Sequence, residues 1–221
     1  DSESSGFDWW KDELLCITIS LEDNKGYFID WSLMDDRNKK VLDGIFLTGN
    51  KFIFNNAKFD CRFLRYNGVP NAIGNEDNTI LHHLINENRP QTLKFMAWEF
   101  TQLGGYSDAL DDIADKYKVK DYKEIYKRFP DVFKKYATYD AIVSFRINKI
   151  LHEQLADQKL EKFYYEVMVP TIETFIELEM QGIQVDLEYM KQFVKDLKVK
   201  RDVIAEEIYE SIGKKIDISS T

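Results

Sequence analysis

The sequence predicts an α/β domain followed by an α-helical segment. From Asp1 to about Gly105 strand-like and helix-like stretches alternate, whereas beyond about Phe129 nearly every stretch repeats its apolar residues at helical spacing. Of the 221 residues 44% are hydrophobic and 31% are charged with the signs evenly mixed, which is enough apolar side chain for a core and argues against disorder.

The elements follow in order. Leu14 to Leu21 is apolar and β-branched, and Tyr27 to Trp31 resumes after Glu22-Asp23-Asn24-Lys25-Gly26, which predicts a hairpin. Lys51 to Phe54 is a third short strand. Asn55-Asn56 can cap a helix from Ala57 to Tyr66, which Gly68-Val69-Pro70 ends. Thr79 to Asn86 and Thr92 to Leu103 are two helices separated by Asn88-Arg89-Pro90. Gly104 to Arg128 is acidic and tyrosine-rich and is expected to form short helices joined by loops, with Asp108 to Asp112 a solvated loop. Pro130 to His152 places Val132, Tyr136, Tyr139, Val143 and Ile147 at helical spacing. Leu160 to Met180 is a helix expected to bend at Pro170, because proline removes a backbone donor inside it, and Gly182 stops it. Leu187 to Ile212 is the last helix, with Gly213 just beyond its end.

Composition excludes several functions. No run approaches the roughly 18 apolar residues a membrane span needs, and no secretory leader pattern opens the chain, so no membrane partner and a cytoplasmic location are expected. Cys16 and Cys61 lie in apolar runs with no Cys/His cluster for zinc, and no disulfide framework is indicated. A net charge of −9 opposes coating of duplex DNA through a broad basic surface. It is compatible with an enzyme that grips a few nucleotides and holds hard cations with carboxylates.

Three short patterns carry chemistry. Asp1-Ser2-Glu3 sets two carboxylates on one face of an extended strand, where they can share a metal, although the composition also suits a polar turn. Asn56-Ala57-Lys58-Phe59-Asp60 sets an aspartate one turn into a helix behind a buried strand, where the helix dipole alone favours an acid. Tyr136-Ala137-Thr138-Tyr139-Asp140 sets a phenol and a carboxylate on one helix face, or simply a core tyrosine beside a solvated acid.

Taken together and in this order, the three patterns resemble the motifs of the DEDD exonuclease superfamily, in its tyrosine branch. They are most similar to the 3′-5′ exonuclease domain of family A DNA polymerases, of the bacterial polymerase I and phage kind. Ile176 to Asp186 resembles the passage from exonuclease to thumb, and Asp217-Ile218-Ser219-Ser220-Thr221 the stretch before the thumb helices.

The resemblance implies a ribonuclease H-like fold with a mixed sheet. It implies an exonuclease domain over 1–155 and the helical start of the polymerase portion, the base of the thumb, over 156–221. It further implies proofreading by two-metal hydrolysis of single-stranded DNA 3′ ends to nucleoside 5′-monophosphates, with Mg2+ as the ion and Mn2+ as its substitute. Asp1 would bridge both ions, Glu3 and Asp140 would complete the water-activating site, and Asp60 would hold the second ion. Tyr136 would orient the attacking water. Phe7, Asn56 and Arg89 match family positions that touch the terminal base, the strand near its end and a phosphate. Each also has an ordinary reading, as core, helix cap and solvated loop residue.

In that family Asp1 lies within a strand preceded by apolar residues, so residues upstream of it are expected. The sequence carries no palm or fingers motifs, so no polymerase activity is expected from this chain alone. Palm, fingers and thumb are expected in the same or a separate chain. A bacterial or phage-infected cell is the expected setting, with an organelle as the alternative. His82, His83 and His152 are read as structural, and Trp9, Trp10, Trp31 and Trp98 as core or rim. Two other readings stay open: an exoribonuclease acting on RNA 3′ ends, and a non-catalytic exonuclease-like scaffold, which would be expected to lack one or more of the four carboxylates.

Overall fold

Alternating apolar side chains make Leu14–Glu22 the nine-residue strand β2 of the computed structural model, which describes residues 1–218. On one edge it pairs antiparallel with β1, Ser2–Ser4, placing Glu3 opposite Cys16. On the other it pairs antiparallel with β3, Lys25–Asp30, and the hairpin closes on Asp23-Asn24 because Glu22 pairs directly with Lys25. The turn is therefore shorter than the five residues its composition suggested.

Helix α1, Asp36–Phe46, was not anticipated. Its first turn is capped by Asp35, whose carboxylate accepts the Asn38 N–H at 2.7 Å, and it buries Leu42 and Phe46. Strand β4, Ile53–Phe54, pairs in parallel with β5, Glu76–Asp77. Between them runs α2, Ala57–Tyr66, as expected. Its cap differs from expectation: Asn56 sits at the N-cap position with φ 75°, and its side chain makes no capping bond. The carboxylate of Asp77 does that work from β5, accepting the Ala57 N–H at 2.8 Å and the Asn56 N–H at 3.2 Å.

The expected single mixed sheet is corrected to two sheets, one antiparallel and one parallel. A cavity of about 590 Å3, with Asp1, Ile19 and Leu21 on one side and Phe52, Ile53 and Phe54 on the other, lies between β2 and β4. No ladder can cross that gap, and β4 pairs over only two residues.

Helices α3, Asn78–Ile85, and α4, Leu93–Phe100, match the two expected helices, with Asp77 and Thr92 as their caps. The segment expected as a solvated loop at Asp108 to Asp112 is instead the start of α5, Asp108–Tyr117. Its acids face solvent, but Leu110, Ile113 and Ala114 recur at i, i+3 and i+4 and pack against Phe133 and Tyr136. A short α6, Tyr122–Arg128, leads into α7, Pro130–Asp157.

Helix α7 organises the domain. One face gives Phe133, Tyr136 and Ala137 to a cluster with Leu15 and Cys16 of β2. Val143, Ile147, Leu151 and Leu155, four residues apart, give another to Leu81 and Met96 of α3 and α4. Beyond it α8, Glu161–Phe163, runs into a π-helical turn, Tyr164–Met168, and then α9, Val169–Gln181. The widened turn ends just before Pro170, which has no N–H for the carbonyl four residues back.

The chain divides into two compact units, Asp1–Met180 and the residues from Gln181 onward. The second contains α10, Leu187–Ile212, capped by Asp186 and ended by Gly213 at φ 74°. The last three residues of the stretch beginning at Asp217 lie outside the described residues. Cys16 and Cys61 are free and buried. Among the described residues no helix is long and apolar enough to cross a membrane.

Candidate functional site

Three elements meet at one acidic cluster. The period-2 geometry of the first strand turns Asp1 and Glu3 to the same side, and α7 brings Asp140 across to them. Oxygens of Asp1, Glu3 and Asp140 all lie within 4.8 Å of one another. Glu3 and Asp140 are both buried. Burial, with Asp140 and Asp60 nearby, raises the Glu3 pKa well above the usual carboxylate range.

Asp60 stands beside this trio on α2, one turn in as the sequence suggested. It is 2% exposed and accepts a hydrogen bond from Ser2 Oγ at 2.7 Å. Burial pushes its carboxyl up to about 6 despite that bond. Burial likewise raises Asp140, although the Tyr106 hydroxyl donates to it. Among the described residues no lysine or arginine lies within ion-pair distance of Asp1, Glu3, Asp60 or Asp140.

One atom is orphaned outright: Asp1 Oδ2 is buried without a hydrogen-bond partner. A buried carboxylate oxygen in that condition costs free energy unless a cation or proton reaches it. The donor set is all oxygen, as Mg2+ or Mn2+ requires. The residues present therefore fit a divalent metal centre.

Tyr136 lies on the same face of α7 as Asp140, one turn earlier, and is buried. Its hydroxyl accepts a hydrogen bond from Tyr122 at 3.5 Å. Burial and the neighbouring carboxylates raise its pKa well above 10, so it remains a neutral phenol.

Of the three expected substrate contacts, Phe7 and Asn56 lie at the first turn of α2 and Arg89 lies between α3 and α4. Phe7 is 86% exposed, edge-on to Phe59 at 6.3 Å. Asn56 occupies the left-handed region, which asparagine tolerates better than most residues, at the start of the helix that carries Asp60. Arg89 lies between α3 and α4 with its guanidinium 3.9 Å from Glu99.

His82 is buried against Gln91 at 2.7 Å, and His152 bonds Glu76 at 2.8 Å, both structural. Trp9 and Trp31 contribute to the core, while Trp10 and Trp98 lie at the rim.

Two residues at this site escaped the sequence reading. Tyr106 donates to Asp140 Oδ1 from a loop 34 residues away, and Asp77 aligns the two helices that flank the cluster. The glycine pair before Tyr106 and the Asp77-Asn78-Thr79 start of α3 were the available signals.

Comparison with known proteins adds a family. The family model for the 3′-5′ exonuclease of DNA polymerase A matches residues 1–156. The chain is 28% identical, over its whole length, to 24% of DNA polymerase I of Borreliella burgdorferi. It is 26% identical over 95% of its length to 26% of the DNA polymerase of Escherichia phage T5. A Bacillus phage SP01 DNA polymerase is 34% identical over 64% of the chain and 15% of that protein. The chain thus spans about a quarter or less of these relatives. Among solved structures, the POL domain of Pol1 from M. smegmatis, in complex with DNA primer-template and dNTP, superposes with a TM-score of 0.71. At 18% identity, over 99% of this chain and 34% of that one, it shares the fold.

Proposed function

The chain belongs to the 3′-5′ exonuclease family of family A DNA polymerases, and from that membership we propose that it hydrolyses single-stranded DNA from the 3′ end, releasing nucleoside 5′-monophosphates in proofreading. The observation that carries this reading is the convergence of the Asp1, Glu3 and Asp140 carboxylates, with Asp60 beside them, one neutral tyrosine and a buried Asp1 oxygen left unpaired.

Asp1, Glu3, Asp60 and Asp140 would hold two divalent cations, Mg2+ with Mn2+ as its substitute. When bound, these supply charge stabilisation at the attacking and leaving oxygens of an in-line displacement. The chain's own residues do the rest. Burial raises the carboxylates and favours a charge partner over water. Tyr136 keeps its proton and orients the attacking water by donating or accepting a hydrogen bond, a positioning role that a phenol of raised pKa suits better than proton abstraction. Phe7 offers an exposed ring against which a terminal base can stack, and Asn56 and Arg89 offer polar contacts to the strand.

In this reading the fold is ribonuclease H-like. Residues 1–155 form the exonuclease domain, and 156–221 begin the polymerase portion at the base of the thumb. Palm and fingers lie elsewhere in the same chain or in a separate one, and the setting is the cytoplasm of a bacterial or phage-infected cell.

The test is degradation of a 5′-labelled single-stranded DNA oligomer, beside RNA of the same sequence, in Mg2+, in chelator and with Asp60→Ala. A Mg2+-dependent ladder from DNA, lost in chelator and in the variant, is expected. Preferential shortening of the RNA would redirect the reading to an exoribonuclease. An inert protein in both Mg2+ and Mn2+ would leave a scaffold.

A further inference from the structure

The loop between α4 and α5 is shaped to bring one side chain to the acidic cluster. Gly104 passes so close to the Trp98 ring that a Cβ would stand 2.3 Å from it, and Gly105 has φ +80°, a conformation that side chains disfavour. The Tyr106 N–H donates to Leu103 at 3.2 Å and the Asp108 N–H to Gly105 at 3.1 Å, so the chain turns tightly around these glycines. The turn places the Tyr106 hydroxyl on Asp140, donating to Oδ1. Its ring lies parallel to that of Tyr136, at 9° with centroids 6.1 Å apart, and against Tyr139 at 6.3 Å.

We propose that Tyr106 is a positioning residue of the metal centre: its hydroxyl occupies Asp140 Oδ1 so that this carboxylate offers Oδ2 to the cation, and its ring fixes the plane of Tyr136. This rests on the exonuclease reading above. A carboxylate is free to rotate and to offer one oxygen or two, and Asp140 has Glu3 beside it as a competing partner. A neutral donor held on one oxygen removes that freedom without bringing a charge that would repel the metal. Outer partners of this kind commonly tune a metal site through the orientation of its ligands. The ring acts on the second group: Tyr136 is clasped between the Tyr106 face and the Tyr122 hydroxyl, which bonds it at 3.5 Å. A single loop residue thus sets both the ligand and the water-orienting phenol.

The experiment measures Mn2+ binding by electron paramagnetic resonance, alongside single-stranded DNA degradation, in the wild type, Tyr106→Phe, Tyr106→Leu and Asp140→Ala. Thermal unfolding in chelator checks that each variant is folded. Tyr106→Phe keeps the ring and loses only the hydroxyl, and is expected to weaken Mn2+ binding about 10-fold. Tyr106→Leu also removes the stacked ring, and is expected to add a fall in kcat at saturating Mn2+. Folded Tyr106→Phe that binds Mn2+ within about 2-fold of the wild type, while Asp140→Ala has lost it, would overturn the proposal and leave the exonuclease reading intact. A wild type that binds no Mn2+ at millimolar concentration would overturn both.

Discussion

Replacing Asp77 by alanine removes one carboxylate and uncaps two helices. Oδ2 accepts the Ala57 N–H at 2.8 Å, while Oδ1 accepts the Asn56, Thr79 and Ile80 N–H groups at 3.2, 2.9 and 3.3 Å. The first helix carries Asp60 and the second packs on α7. Loss of an N-cap costs up to about 2 kcal/mol, and Asp77 is only 2% exposed, so alanine leaves little room for water to take over the carboxylate's acceptor role and the upper figure applies to each helix. The expected cost for Asp77→Ala is therefore about 4 kcal/mol. In a protein of this size that lowers Tm by about 8–16 °C. Asp77→Asn keeps one acceptor oxygen, which can serve α3, and turns an NH2 towards the Ala57 N–H. It should lose roughly half as much stability, about 2 kcal/mol, yet displace the start of α2 and with it Asp60. Urea unfolding of the three proteins, with oligonucleotide degradation run on the same samples, makes the comparison. Asp77→Ala within about 1 kcal/mol of the wild type would refute the claim that this carboxylate holds both helices.

In chelator, Asp60→Asn should raise Tm above the wild type at pH 7, because burial holds that carboxyl at about 6 and its ionised form is a cost to the metal-free fold, whereas in Mg2+ it should abolish degradation; a lower Tm would contradict this. The same acids set a pH dependence. Glu3, Asp60 and Asp140 have raised folded pKa values, so the stability they contribute is full below their unfolded values near 4 and is lost as pH rises through their folded values, about 6 for Asp60. Thermal scans in chelator from pH 4 to 8 should show that loss, and Mg2+ should restore Tm most at the alkaline end; a Mg2+ effect independent of pH would argue against these groups as the ligands. Glu76 has the opposite sign. Burial raises it, but bonds from His152, Lys51 and Tyr165 outweigh burial and hold it at about 2, so its contribution is present above about 4.5 and is lost as pH falls towards 2. Acid unfolding of Glu76→Gln should accordingly be flatter than that of the wild type over that window, by roughly 3 kcal/mol at full effect.

What the sequence made legible follows the range of the interactions. Asp1 and Glu3 are two residues apart on a strand, and Tyr136 and Asp140 four apart on a helix, so local periodicity alone puts each pair on one face. Asp60 was legible for the same reason, as the acid one turn into a helix behind a strand. Asp77 and Tyr106 reach partners 20 and 34 residues away. Only the folded chain brings those together. Helix α1 was missed although Asp35 is a good cap and Leu42 and Phe46 lie four apart, because charged residues and Gly44 thin its apolar face to those two buried side chains. Short helices were expected in this stretch, but Asp108 to Asp112 was assigned to a loop because four aspartates dominate α5, yet Leu110, Ile113 and Ala114 were enough to bury one face. The two-sheet arrangement was hidden because strand pairing depends on which edges meet across the domain.

The distribution of donors separates the buried acids into two kinds. Glu76 has Lys51 at 2.6 Å, Tyr165 at 2.8 Å and His152 at 2.8 Å, and Asp77 has its four amides. Their charge is answered from within the fold, and their work is to tie β5 to α7 and to the helices it flanks. Asp1, Glu3, Asp60 and Asp140 are met chiefly by hydroxyl groups and by one another, and one oxygen has nothing. Evolution could have relieved that strain with a single buried arginine, or with an amide in place of an acid, at no loss of packing. On the function proposed above, leaving four carboxyls short of donors would cost stability in the metal-free protein, and the cost would be returned when a cation enters. On this reasoning the affinity for the metal is set less by the ligands themselves than by what the surrounding fold withholds from them. Added donors such as Tyr106 must then be neutral and few, each taking one oxygen and leaving the charge for the ion.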